Sequence, residues 1–165
     1  MTQFSQLPDL VFGPLAGRPP ADWHAAPPGK WTAAQIAEHL AISLDGSSRR
    51  FEERRERGPM ARRPRTALGR IGAFCIVGLG WFPRGFTAPE GSRPGAHPDP
   101  VAVERQFRAG HARFLALERL LLPARRRDLF VRHPVLGDLT FEEWMRFHVV
   151  HCRHHAKQIR ARLAG

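Results

Sequence analysis

The sequence has no tyrosine, two cysteines and two lysines among its 165 residues. Each shortage excludes something. Cys75 and Cys152 are too few for a disulfide framework and both sit in apolar settings, which fits a reducing compartment. The opening MTQFSQLPDL lacks a basic region followed by an apolar run, so no secretory signal is expected. The longest apolar stretch, IGAFCIVGLGWF at 71–82, falls short of the roughly 20 residues that cross a bilayer. A soluble, cytoplasmic protein follows, with no membrane partner and one domain spanning 1–165, long enough to bury its own core.

Lysine is confined to Lys30 and Lys157, so almost all of the formal charge of +11 comes from arginine. Together with the abundance of Gly, Pro and Ala, this reads as a coding bias and a solvated basic surface. Nucleic acid is therefore not expected as a partner; the arginine clusters at 49–70 and 125–127 are where such contact would fall. No internal repeat is present, and no stretch alternates with period two, so no strand is expected.

Two helix starts are well marked. In GKWTAAQIAEHLAISL, Thr32 caps a helix while Gln35 reaches back, and Trp31 can staple onto Ile36. In GDLTFEEWMRFHVVH the same device uses Thr140 and Glu143, with Leu139 facing Trp144. The first helix is expected over 32–57, ending before Gly58 and Pro59, and the second over 140–163. Residues 101–122 return to helical spacing with Val103, Phe107, Phe114, Leu117 and Leu121 on one side. A short N-terminal helix and an apolar helical piece at 66–81 complete the set. The Pro- and Gly-rich segment 82–100 can be neither helix nor central strand; it is a lid whose Phe and Arg residues select substrate, or a structural strap. The fold class is all-α: a four-helix bundle with long connecting loops.

Histidine is what the chain has in excess where it matters, with four of nine in FHVVHCRHHAKQ at 147–158. At about 100° per residue, His148, His151 and His155 fall on the face shared with Phe141, Trp144, Cys152 and Ile159, while His154 points toward Arg153 and Lys157. His151 and His155, one turn apart, can converge on one ion, and His39 on the apolar stripe of the first helix can supply the third nitrogen. Three protein ligands leave positions open for water or substrate, and three imidazoles suit Zn, Ni or Fe(II). Histidines on an apolar face can equally be hydrogen-bonded core residues, and spacing alone leaves both readings standing. His148, about 10 Å along the helix from His155, belongs behind the ligands or in the core. Gln35, Ser43 and Arg50 share His39's side of its helix and are candidate contacts to a cofactor or substrate, Arg50 to an anionic group. Each also has a structural reading, as cap, helix hydroxyl and surface charge. Cys152 reads as a small buried residue.

PGKWTAAQIAEHL at 28–40, taken with HVVHCRHHAKQI at 148–159, resembles the paired signature of the DinB-like superfamily of four-helix-bundle metalloproteins. There a Trp-Ser/Thr segment ending in His-Leu gives one ligand from the second helix and an HxxHHxxQ segment gives two from the last. The resemblance extends over most of 28–163, and HPVLGDLTFEEWMRFHVVHCRHHAKQ and FPRGFTAPEG are similar to one branch in particular. It implies His39, His151 and His155 as metal ligands. It also implies a metal-dependent enzyme: in some members a transferase or isomerase using a low-molecular-weight thiol such as bacillithiol or mycothiol, in others a hydrolase. The expected partners are a small-molecule substrate and a second copy of the chain as a homodimer. The alternative is a bundle that binds a metal or ligand without turnover.

Overall fold

The computed structural model describes residues 3–57, 61–82 and 87–164. A 3-10 turn leads into α1 (Leu7–Phe12), and a second 3-10 turn, Gly13–Leu15, follows it. Then come α2 (Pro20–His24), α3 (Ala33–Arg55), and α4 (Ala67–Ala73) running into a π-helical turn at Phe74–Gly78. After a 3-10 turn at Glu90–Ser92 the chain forms α5 (Pro100–Leu120), α6 (Pro123–Asp128), the strands β1 (Phe130–His133) and β2 (Gly137–Thr140), and α7 (Phe141–Leu163). Among the described residues no helix is long and apolar enough to cross a membrane.

Four helices make the bundle: α3 packs along α5 and α7, and α1 packs against α7 and α5. Both predicted capping boxes are present. Thr32 Oγ1 accepts from Gln35 N at 3.1 Å while Gln35 Oε1 accepts from Thr32 N at 3.0 Å. Thr140 and Glu143 do the same at 3.0 and 2.7 Å. These boxes satisfy amide donors that the first helical turn cannot pair internally, and so fix where α3 and α7 begin. The expected stop at Gly58 and Pro59 lies outside the described residues; α3 ends at Arg55. The core is aromatic at its centre, with Phe51, Phe107, Phe114 and Phe141 fully buried. Gly110 is the contact point of α3 and α5: a Cβ there would come within 2.8 Å of the Asp45 backbone, so only glycine lets the two helices approach this closely.

One expectation is corrected. The chain does contain strands: β1 and β2 form an antiparallel hairpin pairing Phe130 with Thr140, Val131 with Leu139, Arg132 with Asp138 and His133 with Gly137. Only Val131 and Leu139 are inward-facing apolar positions on facing strands of four residues each, too little to register as alternation. The turn closes through Gly137 at φ 78° and through the His133 side chain, whose Nδ1 accepts from Val135 N and Leu136 N at 3.1 Å each. In the 66–81 piece, helical as expected, Gly69, Gly72, Ala73 and Ile76 are buried, while Leu68, Ile71, Phe74, Leu79 and Trp81 are exposed.

Candidate metal centre

His39 lies on the inward face of α3 beside Ile36 and Leu40, and α7 presents His151 and His155 one turn apart toward it. Where the two helices pack, His39 Nε2 and His151 Nε2 are 3.0 Å apart. The ring of His155 stands 5.0 Å from that of His39 and 4.7 Å from that of His151. One nitrogen from each of the three lies within 4.8 Å of the others, and all three residues are buried.

The far side of each ring decides what the near side offers. His39 Nδ1–H donates to the Ser92 carbonyl at 2.6 Å, and His155 Nδ1–H donates to Gln158 Oε1 at 2.7 Å. A neutral imidazole carries one proton, so both rings turn a bare Nε2 lone pair toward the cluster. Burial keeps them neutral: it lowers the His39 pKa against the opposing pull of the Ser92 bond, and it pushes His155 down to about 3. His151 is held well below 6.5 by burial first and then by repulsion from its two partners.

These residues fit a cation. His151 Nδ1 is buried without a partner among the described residues. If Nε2 of His151 carries the proton and bonds to His39, Nδ1 remains a sealed, unpaired acceptor. If Nδ1 carries it, two lone pairs face each other at 3.0 Å. Neither tautomer satisfies the ring within the protein, and such groups are costly when buried. A cation at the meeting point turns the facing lone pairs into ligands. Two nitrogens bound to one ion at about 2.1 Å stand no more than about 4.2 Å apart. The 3.0 Å pair meets that limit, and the spread of 4.8 Å needs only a small side-chain adjustment.

The DinB superfamily model matches residues 3–159, nearly the whole chain. The chain belongs to the DinB superfamily. Among solved structures it is similar to YfiT from Bacillus subtilis, described as a probable metal-dependent hydrolase with an unusual four-helix bundle topology. The two share 21% identity and a TM-score of 0.64 over 96% of this chain and 81% of that one, a likeness of fold. No curated protein matches the chain.

In this DinB-superfamily chain the three imidazoles sit in the wall of a cavity of about 1330 Å³. Ser43 and Arg50 also line it. Gln35 does not: beyond its capping bond, its Nε2 donates to the carbonyls of Gly95 and Ala96 at 3.0 and 3.3 Å. His148 is buried behind the cluster, packed on Phe114, Trp144 and Phe147 and pushed down to about 3 by burial. Ser47 Oγ donates to the Ser43 carbonyl at 2.8 Å and meets His148 Nε2 at 2.9 Å, so the serine bonded to this histidine is one turn beyond Ser43. His154, which the helix wheel turns toward Arg153 and Lys157, is half-buried in the cavity wall, where Phe82 stacks on it at 4.8 Å. Cys152 is buried, and burial pushes its thiol far above the ordinary range, so it offers no thiolate.

The segment 82–100 is a strap over α3 for at least part of its length. Ser92, Gly95 and Ala96 bind His39, Glu38 and Gln35, with Gly95 N donating to Glu38 Oε2 at 2.7 Å. Of the segment's Phe and Arg residues, which would select substrate in the lid reading, Phe82 lines the cavity, Arg93 Nε donates to the Ala88 carbonyl at 3.5 Å, and Arg84 and Phe86 lie outside the described residues. Two groups with a direct hold on the cluster were not foreseen. Gln158 is visible in sequence as the residue three beyond His155 on the same helix, a spacing that allows contact. The Ser92 carbonyl is a backbone group 53 residues from its histidine, and no residue type marks it.

Proposed function

We propose that this protein is a metal-dependent enzyme that holds a divalent ion on His39, His151 and His155 and activates a water or a low-molecular-weight thiol toward a small electrophilic substrate. The observation carrying this is the convergence of three neutral imidazole nitrogens in the wall of a large cavity. A structural site would be closed off by a fourth protein ligand; three ligands beside open volume is the arrangement of catalytic sites. When bound, the ion supplies Lewis acidity and brings a nucleophile's pKa toward neutrality. Three imidazoles accommodate Zn, Ni or Fe(II).

The chain's own residues supply ligation, orientation and exclusion of water. Ser92 and Gln158 hold the two outer rings so that their lone pairs meet. Ile42, Ile76, Phe147 and Val150 make apolar wall. No Asp or Glu lines the cavity among the described residues, so it offers no carboxylate base. The description of YfiT supports water as the nucleophile, and the superfamily's thiol-using members support a thiol.

Elemental analysis of untagged protein tests the proposal. About one divalent ion per chain is expected in the purified protein, and none in a His39→Ala/His151→Ala double variant that keeps its helical circular dichroism. Absence of stoichiometric metal in the parent, or retention in the double variant, refutes it. Turnover of ester and amide substrates with and without bacillithiol, mycothiol or glutathione then assigns the nucleophile.

A further inference from the structure

His133 serves the hairpin turn, yet it also lines the cavity. Its Nδ1 accepts from two backbone N–H groups, Val135 and Leu136. An amide N–H can only donate, so Nδ1 must keep its lone pair and the ring proton must reside on Nε2. Burial reinforces this by pushing the pKa down to about 4. Nε2–H makes no hydrogen bond to a described residue, and it is not sealed in as His151 Nδ1 is. Phe147 stands between His133 at 4.6 Å and His151 at 5.0 Å between ring centroids, so the two imidazoles are no more than about 10 Å apart. A small molecule can span that interval.

The remaining wall indicates what kind of molecule. Lys30, Arg50, Arg153 and Lys157, all exposed, line the cavity, and no carboxylate lines it among the described residues. The same wall carries the apolar and aromatic side chains of Ile42, Ile76, Trp81, Phe82 and Phe147. A cationic substrate would find no counter-charge in such a space; an anionic one with an apolar body would find both partners.

We propose that His133 is a fixed N–H donor in the cavity wall that binds an oxygen acceptor of an anionic substrate with an apolar body, such as an aromatic carboxylate. The proposal rests on the cavity being the substrate site, but it does not require the metal. The donor's direction is set by the turn rather than by solvent, so it discriminates acceptors from donors at that point.

Benzoate is the probe, with benzylamine as the control of the same shape and opposite charge. The informative substitution is His133→Asn, whose Oδ1 can take over the two turn N–H groups while no donor reaches the cavity. By calorimetric titration, benzoate should bind the parent and benzylamine should not. In His133→Asn the benzoate affinity should fall about tenfold, the loss of one hydrogen bond to a charged acceptor, with melting temperature and metal content unchanged. Histidine side-chain nitrogen NMR at neutral pH should show His133 protonated on Nε2 and that signal moving on adding benzoate. Equal benzoate affinity in parent and variant, no benzoate binding by the parent, or a proton on Nδ1 overturns the proposal. A parent without metal that still binds benzoate in a His133-dependent way overturns the metal assignment and leaves this one standing.

Discussion

Among the described residues, Gln158 is the one side chain that hydrogen-bonds a candidate ligand from behind. Its Oε1 accepts from His155 Nδ1 at 2.7 Å, and its Nε2 reaches His154 Nε2 at 3.1 Å. In Gln158→Ala the His155 proton loses its acceptor. The ring is then free to carry the proton on Nε2, which removes the lone pair from the cluster, or to turn away. Loss of such a supporting partner costs a metal site about 10- to 100-fold in affinity, or about 1.4 to 2.7 kcal/mol. That agrees with the roughly 1–3 kcal/mol for leaving a buried donor unpaired. Competition against a chromophoric chelator reads the affinity directly. Gln158→Ala should bind metal 10- to 100-fold more weakly than the parent and still more tightly than His155→Ala. Gln158→Glu keeps an acceptor with added negative charge, and should bind at least as tightly as the parent. If Gln158→Ala holds metal like the parent, His155 is not presented to an ion by its Gln158 bond, and the assignment of His155 as a ligand loses its main geometric support.

Gly110→Ala would gain about 1 kcal/mol of helix propensity but forces a Cβ to 2.8 Å from the Asp45 backbone, where no flexible side chain can yield. With overpacking at about 1–3 kcal/mol, the net effect is a destabilisation of roughly 1 kcal/mol and a melting temperature lower by about 2–4 °C; an unchanged or raised value in a thermal scan counts against the close α3–α5 approach. Acid should destabilise the metal-free protein well before the carboxylates titrate. His133 and His148 stay neutral in the fold, at about 4 and about 3, because burial disfavours their charge, whereas in the unfolded chain they take protons near 6.5. The folded state therefore refuses protons that the unfolded state binds, and stability falls as pH drops below 6.5, by about 2–3 kcal/mol between pH 6 and pH 5 for these two alone. His39, His151 and His155, also lowered, act in the same direction. Urea denaturation in chelator across that interval tests this, and stability that is flat or rises refutes it.

The long helices and the three converging histidines were legible in sequence because their signals are local and periodic. Thr32 with Gln35, and Thr140 with Glu143, mark helix starts within four residues, and His39, His151 and His155 fall on apolar stripes that a 3.6-residue repeat exposes. What escaped depends on contacts between distant segments. Phe82 carries His154 from the flank into the wall, and a helix wheel contains no such neighbour. Ser47 meets His148 because the crossing of α3 and α7 sets which turn is level with which. The hairpin was hidden because a histidine side chain, not a recognisable turn pair, receives the amides of its turn.

The strap shows why a Pro- and Gly-rich segment can hold a histidine precisely. Gln35, Glu38 and His39 occupy neighbouring positions on α3, and all three bind the strap through its main chain: the carbonyls of Gly95 and Ala96, the amide of Gly95, and the carbonyl of Ser92. The specificity thus resides in the helix, whose side chains select one path for the loop backbone. The carbonyl that orients His39 is therefore positioned by Glu38 and Gln35, one and four residues earlier on the same helix as His39 itself. His155 on α7 is oriented likewise by a residue three further on, so each outer ring is set by its own helix, and the packing of α3 on α7 has only to bring the two together.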